Sequence, residues 1–268
     1  MDEYTGLWTR QASVKLLVSS ILLKYGNYLT WHHCNETILH DDCVDGTLTK
    51  DVLLPYVNDH VREIVGFDKW KYIIDEAKEV NPDDKIKYEL YNTMNKNVTD
   101  VENKFDRIFS FFVAEVAVPN KVLLRNYHKM LKRSGQIFMV IAVNTPVERS
   151  IHIQVKRKKW APYLKNRKIY ENYTDNPIDY FQNLLGETGF KAEYCDLVKL
   201  PLILETFSDL IKLLWPMYGT FWNCIPKHLK EDFLKENAQL SEEMMSYECK
   251  PDKYRMIVDT LICIASKV

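Results

Sequence analysis

The alternation of strand-like and helix-like segments through the first half of the chain most constrains its fold. Short buried apolar runs or strict alternation predict strands, and apolar residues three or four positions apart predict the helices between them. Strands joined by helices in this order need crossover connections, which favour a mostly parallel sheet covered on both faces. The predicted strands cover residues 37–40, 63–68, 85–91, 105–113 and 136–143, and the predicted helices cover residues 10–26, 47–60, 70–80 and 120–131.

The pattern changes after residue 144, where helical segments dominate. The second half reads as a basic and aromatic stretch at 151–166, a helix at 178–188, a strand at 191–198, two or three helices up to residue 245, and a last strand at 256–266. No internal repeat or linker divides the chain. We therefore expect one domain over residues 1–268, with residues 145–180 and 200–250 forming a helical cap over the ligand-binding edge of the sheet.

Charge and cysteine usage limit the partners and the compartment. The 36 lysines and arginines nearly balance 37 aspartates and glutamates, which gives no electrostatic reason to expect a nucleic-acid or membrane partner. The six cysteines show no C-x-x-C pairing, so we expect free thiols in a reducing compartment. No apolar run approaches the length of a membrane span. The prediction is a soluble, cytoplasmic protein whose oligomeric state is open, a homodimer included.

The first strand-to-helix turn, residues 38–46, is the expected position of a cofactor. In such folds, glycines let the backbone approach the ligand, and an acid ending the second strand binds ribose hydroxyls. Gly46 ends the turn, and Asp68 ends the second strand at about the spacing of one βαβ unit. Asp68 is therefore a candidate ribose ligand, although many strands end in a solvated acid.

Seven short segments are spread along nearly the whole chain: residues 43–49 (CVDGTLT), 64–68 (IVGFD), 105–111 (FDRIFSF), 124–126 (LRN), 159–160 (KW), 225–227 (IPK) and 231–234 (EDFL). Together they resemble the corresponding segments of the insect juvenile hormone acid methyltransferases. The resemblance implies a class I methyltransferase fold, with a seven-stranded, mostly parallel sheet, helices on both faces and a helical cap. It also implies methyl transfer from S-adenosylmethionine to the carboxylate of a small terpenoid, farnesoic acid or juvenile hormone acid.

The resemblance and the strand order together place two sets of site residues. The cofactor-binding set is Asp45, Gly46, Asp68, Asn92, Thr93, Ser110 and Phe111. The substrate-pocket set is Trp8, Gln11, Glu115, Val116, Trp160, Trp215 and Trp222, of which the cap tryptophans could equally be core. No catalytic residue is assigned, because a carboxylate nucleophile is already ionised and needs positioning and water exclusion rather than a base.

The turn departs from the family pattern at three positions. His40 replaces the family's acid, Asp42 its first glycine, and Val44 the next small residue. A side chain where the backbone must touch the methionine moiety predicts a clash, and a β-branched one resists the geometry that glycine permits. Asp42 would also bring a negative charge near the carboxylate of the cofactor. These changes predict weakened cofactor binding.

Further departures lie at the positions expected to contact adenine and substrate. Asn92 stands where the family has an aspartate that accepts from the adenine amino group, and its side-chain oxygen can still accept. Glu115 and Val116 stand where the hormone enzyme has a His-Trp pair, and a glutamate beside a carboxylate substrate would repel it. Trp8 stands where a glutamine would hold the substrate carboxylate.

Two hypotheses follow, and both keep the methyltransferase fold. In the first, the chain binds S-adenosylmethionine weakly or not at all and has a binding or regulatory role, with retained terpenoid binding as one form of it. In the second, it is an active carboxyl O-methyltransferase whose altered turn uses other contacts. A dinucleotide oxidoreductase is disfavoured by the absence of G-x-G-x-x-G. The acids and His40 of residues 40–45 match no standard ligand spacing, so no metal is predicted.

Overall fold

Seven strands form one sheet in the part of the chain that the computed structural model describes, residues 8–32, 34–112, 121–143, 145–164, 176–217, 224–245 and 254–268. The strands are β1 (Glu36–Asp41), β2 (Val61–Asp68), β3 (Ile86–Leu90), β4 (Phe105–Phe111), β5 (Leu131–Val143), β6 (Phe190–Leu204) and β7 (Tyr254–Lys267). Their order is β3-β2-β1-β4-β5-β7-β6. The first five strands pair in parallel, and β7 is antiparallel to β5 and β6. The predicted mostly parallel sheet is confirmed.

The helices connect these strands and cover the sheet. In chain order they are α1 (Ala12–Tyr25), α2 (Leu54–Val57), α3 (Lys71–Val80), α4 (Lys121–Met130), α5 (Pro146–Gln154), α6 (Ala161–Leu164), α7 (Pro177–Glu187), α8 (Phe207–Met217) and α9 (Lys230–Glu243). The predicted helix at 47–60 is a widened π-helical turn, Thr49–Leu53, followed by α2. Pro55 directly follows the π-helical turn within one continuous helical run, and its ring has no N–H to donate to the preceding turn.

Ser134 and Gly135 are a residue pair typical of a turn, but in the structure they lie inside β5. The pairing with β4 moves from Leu131 opposite Phe105 to Gln136 opposite Arg107, so β5 carries extra residues over this interval. Ser134 has a left-handed φ of 61° at this irregularity. Such a bulge uses the same residue types as a turn, which is why the sequence pattern did not separate them.

Two hydrophobic clusters flank the sheet, one on each face. Successive strand residues point to opposite faces, and accordingly Ile38 and Ile64 belong to one cluster while Leu39 and Val65 belong to the other. The first cluster includes residues of α1, α5, α8 and α9, and the second includes residues of α4 and α7. The prediction of helices on both faces is confirmed.

The predicted cap is attached at the carboxyl edge of the sheet. Helix α5 follows β5, and α8 and α9 lie in the chain between the end of β6 and the start of β7. Helices α5 and α9 pack through a buried contact in which the Ser241 hydroxyl donates to that of Ser150 at 2.9 Å. Parts of residues 145–180 and 200–250 lie outside the described residues, so the single-domain assignment stays a prediction. None of the helices in the described ranges is long and apolar enough to cross a membrane.

A buried ion pair joins β1 to β4 near the amino ends of these strands. The Arg107 guanidinium lies 3.2 Å from the Glu36 carboxylate, and both side chains are almost completely buried. The Arg107 Nη1 also donates to the Asp106 carbonyl at 2.8 Å, and the guanidinium lies 5.4 Å from the Trp31 ring. Burial lowers the pKa of Arg107, against the raising effect of Glu36. Glu36 would therefore be a costly unpaired charge without its partner.

We expect Arg107→Met to lower the free energy of unfolding by about 3–5 kcal/mol, because it leaves the Glu36 carboxylate buried and unpaired. Urea denaturation would measure the change. The double variant Glu36→Gln/Arg107→Met should recover most of the loss. The control Arg62→Met breaks a more exposed pair with Glu63 and should cost less than about 1 kcal/mol. Equal losses in both single variants would contradict the prediction.

Candidate functional site

A cleft opens at the carboxyl ends of β1, β2 and β3. Strand register brings Asp41 beside Phe67 and Ser110, and it places Asp68 beside Leu90. The sheet order reverses between β1 and β4, and such a switch point is where open α/β sheets bind ligands. The cleft is lined by Asp41, Asp42, Asp68, Lys69, Tyr91, Asn92, Thr93, Met94 and Leu123.

The turn after β1 holds two non-glycine residues in the left-handed conformation that glycine favours. Asp42 has a φ of 56° and Val44 a φ of 52°, both in the left-handed region, as does Gly46 at 78°. Left-handed geometry costs an L-residue about 1–2 kcal/mol, and a β-branched side chain tolerates it least. The sequence predicted that valine resists this geometry. In the structure, the surrounding contacts hold Val44 in it nonetheless.

Two features require glycine at position 46, the left-handed φ and the Tyr88 side chain that lies beside it. A Cβ on Gly46 would lie 2.3 Å from the Tyr88 hydroxyl oxygen. That hydroxyl donates to the Asn81 carbonyl at 3.1 Å, which links β3 to the residue that ends α3. Gly46 therefore closes the turn against β3, and its predicted cofactor contact stays a prediction.

The Asp45 carboxylate is buried in a network that joins the turn to the N-terminal segment. Its Oδ1 accepts from the Thr9 hydroxyl at 2.7 Å and from the Thr47 amide at 3.1 Å. Its Oδ2 accepts from Arg10 Nε at 2.6 Å and from the Thr47 hydroxyl at 2.8 Å. Arg10 also reaches Glu76 on α3. This predicted cofactor ligand therefore already carries a full set of protein donors.

His40 occupies the position of the family's acid and is a buried, neutral side chain. Its Nδ1 lies 2.7 Å from the Thr49 hydroxyl, and its ring packs 5.2 Å from that of Phe111. Burial lowers the pKa of His40 to about 3. The imidazole is therefore uncharged at neutral pH, and it supplies no negative charge where the resemblance expects an acid.

Asp42 and Asp68 form a hydrogen-bonded carboxyl pair in the cleft. Burial, followed by the negative charge of Asp42, raises the pKa of Asp68 to about 8. Burial also raises the pKa of Asp42, and the nearby Lys69 ammonium opposes both shifts. One Asp68 oxygen accepts from the Trp70 amide at 2.8 Å. Asp68, the candidate ribose ligand, is therefore already hydrogen-bonded to Asp42, which stands at the family's first glycine position.

Asp41 is a second buried acid that the sequence analysis did not select as a site residue. Its carboxylate accepts from the Thr93 hydroxyl at 3.1 Å and from the Tyr127 hydroxyl. Burial raises the pKa of Asp41 to about 7, with the Asp42 charge acting in the same direction. Asp41 ends β1 in the same way that Asp68 ends β2, so the rule that selected Asp68 could have found it. No comparable sequence pattern pointed to Tyr127 on α4.

The remaining cofactor candidates lie around this acid group. The Asn92 side-chain oxygen accepts from the Met94 amide at 2.9 Å. Ser110 is buried and hydrogen-bonds the Tyr127 hydroxyl. Phe111 is buried between the rings of its neighbours, including His40. The structure therefore brings the cofactor candidates to one edge of the sheet, and their contact with a ligand stays a prediction.

Three of the substrate-pocket candidates, Trp8, Gln11 and Trp160, have described side chains. Gln11 Nε2 donates to the Asp209 carbonyl of α8 at 3.0 Å, and Trp8 is partly buried against the core. Trp160 is completely buried, with its ring 5.0 Å from Phe233 and its Nε1 donating to Glu236 at 2.8 Å. Glu115, Val116 and Trp222 lie outside the described residues, and Trp215 lies on α8 without a described side chain.

Comparison with known proteins gives a domain match and curated relatives that carry methyltransferase names. A family described as a methyltransferase domain matches residues 45–139, which include the last two residues of the turn, strands β2 to β4 and the first part of β5. A juvenile hormone acid O-methyltransferase from Bombyx mori is 21% identical over 226 residues, covering 83% of this chain and 80% of that protein. Identity at this level supports the likeness only loosely.

Solved structures agree on the fold across almost the whole chain. A Bacillus halodurans protein classed as a methyltransferase has a TM-score of 0.57 at 16% identity, covering 92% of this chain and 99% of that one. The YcgJ protein from Bacillus subtilis scores 0.56 at 12% identity, with 93% and 97% covered. The [4+2]-cyclase SpnF scores 0.53 at 14% identity, with 95% and 81% covered. The chain has the class I methyltransferase fold, and a fold does not by itself assign a reaction.

We expect Val44→Gly to change the free energy of unfolding by less than about 1 kcal/mol, because relief of left-handed strain offsets the lost burial. The control Val65→Gly removes a valine that is 1% exposed, against 9% for Val44, from an ordinary strand position in β2, and it should cost about 3 kcal/mol or more. Urea denaturation of both variants measures the difference. Similar losses at the two positions would contradict strain at Val44.

We expect stability to fall as the pH rises from 6.5 to 8. In this range the folded protein retains a proton on Asp68 and in part on Asp41, whereas the unfolded chain, with aspartate pKa values near 3.8, has released both. Unfolding therefore releases protons, and the loss ends once the folded carboxyls have ionised. Asp42→Asn should flatten this decline and add about 1 kcal/mol at pH 8.5.

Urea denaturation at pH 6.5, 7.5 and 8.5 would check this slope. The exposed Asp84→Asn serves as the matched control, because it removes one negative charge away from the cleft. A wild-type slope in Asp42→Asn, or the same flattening in Asp84→Asn, would show that the Asp42–Asp68 pair is not its source.

Proposed function

We propose that this chain is a methyltransferase-fold protein with weak or no S-adenosylmethionine binding and a ligand-binding or regulatory role. The observation that carries this proposal is the Asp42–Asp68 carboxyl pair. A ribose diol needs an ionised carboxylate that is free to accept its hydroxyls. Here burial and the charge of Asp42 raise the pKa of Asp68 to about 8, and Asp68 also accepts from the Trp70 amide.

Charge supports the same proposal. Asp41, Asp42 and Asp68 all line the cleft, and Lys69 is the only cation among the described residues that line it. Binding the negatively charged carboxylate of S-adenosylmethionine beside these acids would meet repulsion from every ionised one. The positive sulfonium of S-adenosylmethionine would be attracted to the ionised acids. This attraction acts only if the side chains of the turn leave room for the cofactor.

The turn supports the proposal by its sterics. Val44 is buried in a left-handed conformation, and Asp42 carries a side chain where the resemblance implies bare backbone. The Asp45 carboxylate, another candidate ligand, is saturated by Thr9, Arg10 and Thr47. Residues that fit the cofactor would present backbone and unsatisfied polar atoms at these points. These contacts support the proposal that the turn binds the cofactor weakly or not at all.

The ligand class that we propose is a small apolar carboxylic acid of terpenoid type, held by a cytoplasmic protein. The likeness to the Bombyx mori juvenile hormone acid O-methyltransferase supports this class, since it spans 83% of the chain. The same likeness favours a second candidate function, an active carboxyl O-methyltransferase acting on a terpenoid or fatty acid such as juvenile hormone acid or farnesoic acid. The two candidates differ in whether the cofactor binds.

We expect calorimetric titration to show no binding of S-adenosylmethionine or S-adenosylhomocysteine below about 1 mM. The variant Asp42→Gly/Val44→Gly removes both side chains from left-handed positions and frees Asp68. It should bind S-adenosylhomocysteine at least about tenfold more tightly than the wild type. Adding Asp68→Asn to that variant should remove the gain, since the ribose acceptor is then lost.

Micromolar binding by the wild type, with methyl ester formed from juvenile hormone acid, would replace the proposal with the second candidate. Circular dichroism of each variant establishes that it is folded. A thermal-shift series with juvenile hormone acid, farnesoic acid and their methyl esters tests the ligand class. Stabilisation by the acids alone supports carboxylate recognition, and no stabilisation by any of them removes this ligand class from the proposal.

A further inference from the structure

Cys195 and Cys263 face each other across the pair formed by the edge strand β6 and its neighbour β7. They are register partners in this antiparallel pair. Directly opposed residues in antiparallel strands have Cα atoms about 4.5–5.5 Å apart, which lies within the span of about 4.4–6.8 Å that a disulfide bridges. The two thiols already hydrogen-bond each other. Bond formation therefore needs little backbone movement.

The two thiols differ in access and acidity. Cys263 is completely buried, whereas Cys195 is partly exposed on the edge strand. The hydrogen bond from Cys263 lowers the pKa of Cys195, while burial raises that of Cys263. Cys195 is therefore the more accessible thiol and the one with the lowered pKa, and exposure and a lowered pKa both favour the reaction of a cysteine with peroxide.

We propose that Cys195 and Cys263 form a peroxide-sensitive dithiol that closes into a cross-strand disulfide. The Cys195 thiolate attacks hydrogen peroxide, the O–O bond breaks, and Cys195 becomes a sulfenic acid while the released hydroxide takes a proton to form water. The Cys263 sulfur then attacks the Cys195 sulfur, the S–O bond breaks, and the departing hydroxide takes the Cys263 proton. In total, two thiols lose two electrons and peroxide becomes two waters.

The disulfide would constrain one part of the fold in particular. Helices α8 and α9 both lie in the chain between Cys195 and Cys263, so the bond closes a loop that contains this half of the cap. Closing a long loop reduces the freedom of the unfolded chain and stabilises the folded one. Cellular thiols would reverse the bond, which makes the pair a switch in a reducing compartment.

To test this proposal, the reduced, full-length protein is treated with hydrogen peroxide, and the remaining thiols are then blocked with iodoacetamide. The disulfides are mapped by mass spectrometry of the unreduced protein. The expected result is a linked peptide that joins Cys195 to Cys263 when the folded protein is oxidised. The peptide should be absent when the protein is unfolded in urea before peroxide is added. The apparent melting temperature should rise by about 5 °C or more on oxidation and return with dithiothreitol.

Two serine variants separate the roles. In Cys263→Ser, Cys195 should stop at the sulfenic acid and be labelled by dimedone, whereas Cys195→Ser should leave Cys263 unlabelled. The exposed Cys34→Ser is the matched control and should leave the linked peptide unchanged. Absence of the Cys195–Cys263 peptide from the folded wild type, or linkage of Cys195 to another cysteine, overturns the proposal. The result does not depend on whether the chain binds S-adenosylmethionine, so the two proposals can fail independently.

Discussion

The buried carboxylate of Asp45 holds the candidate site in its shape. It accepts hydrogen bonds from Thr9 and Arg10 of the N-terminal segment and from Thr47 at the start of the following helix. These donors fix both sides of the turn after β1 at once. A network that is fully satisfied and buried is rigid, and this rigidity lets the turn keep left-handed residues at Asp42 and Val44.

The fixed turn explains the electrostatics of the cleft. Because the backbone at Asp42 is held at the carboxyl edge, its side chain meets Asp68 at the end of the neighbouring strand. Burial then makes full ionisation of both acids unfavourable, and the pKa of Asp68 rises to about 8. The edge of the sheet at which open α/β folds bind ligands therefore carries an internal carboxyl pair in this class I fold.

Much of the fold could be predicted because strands and helices carry a periodic signal. The predicted strands overlap β1 to β7, and Asp68 ends β2 as expected. The start of β5 could not be predicted, since Ser134 and its glycine neighbour suit a bulge as well as a turn. The partners of Asp41 could not be predicted either, because Tyr127 comes from a distant helix and periodicity says nothing about which side chains meet.

The sequence by itself determined the order of strands and helices and the three unusual residues His40, Asp42 and Val44 at the cofactor turn. Both are local properties, set by spacing and residue type. Only the tertiary structure decided what those residues do. It gave His40 a neutral, buried place beside Thr49, kept Val44 in a left-handed conformation, and paired Asp42 with Asp68. These outcomes depend on distances between strand ends, which parallel pairing fixes and spacing along the chain does not.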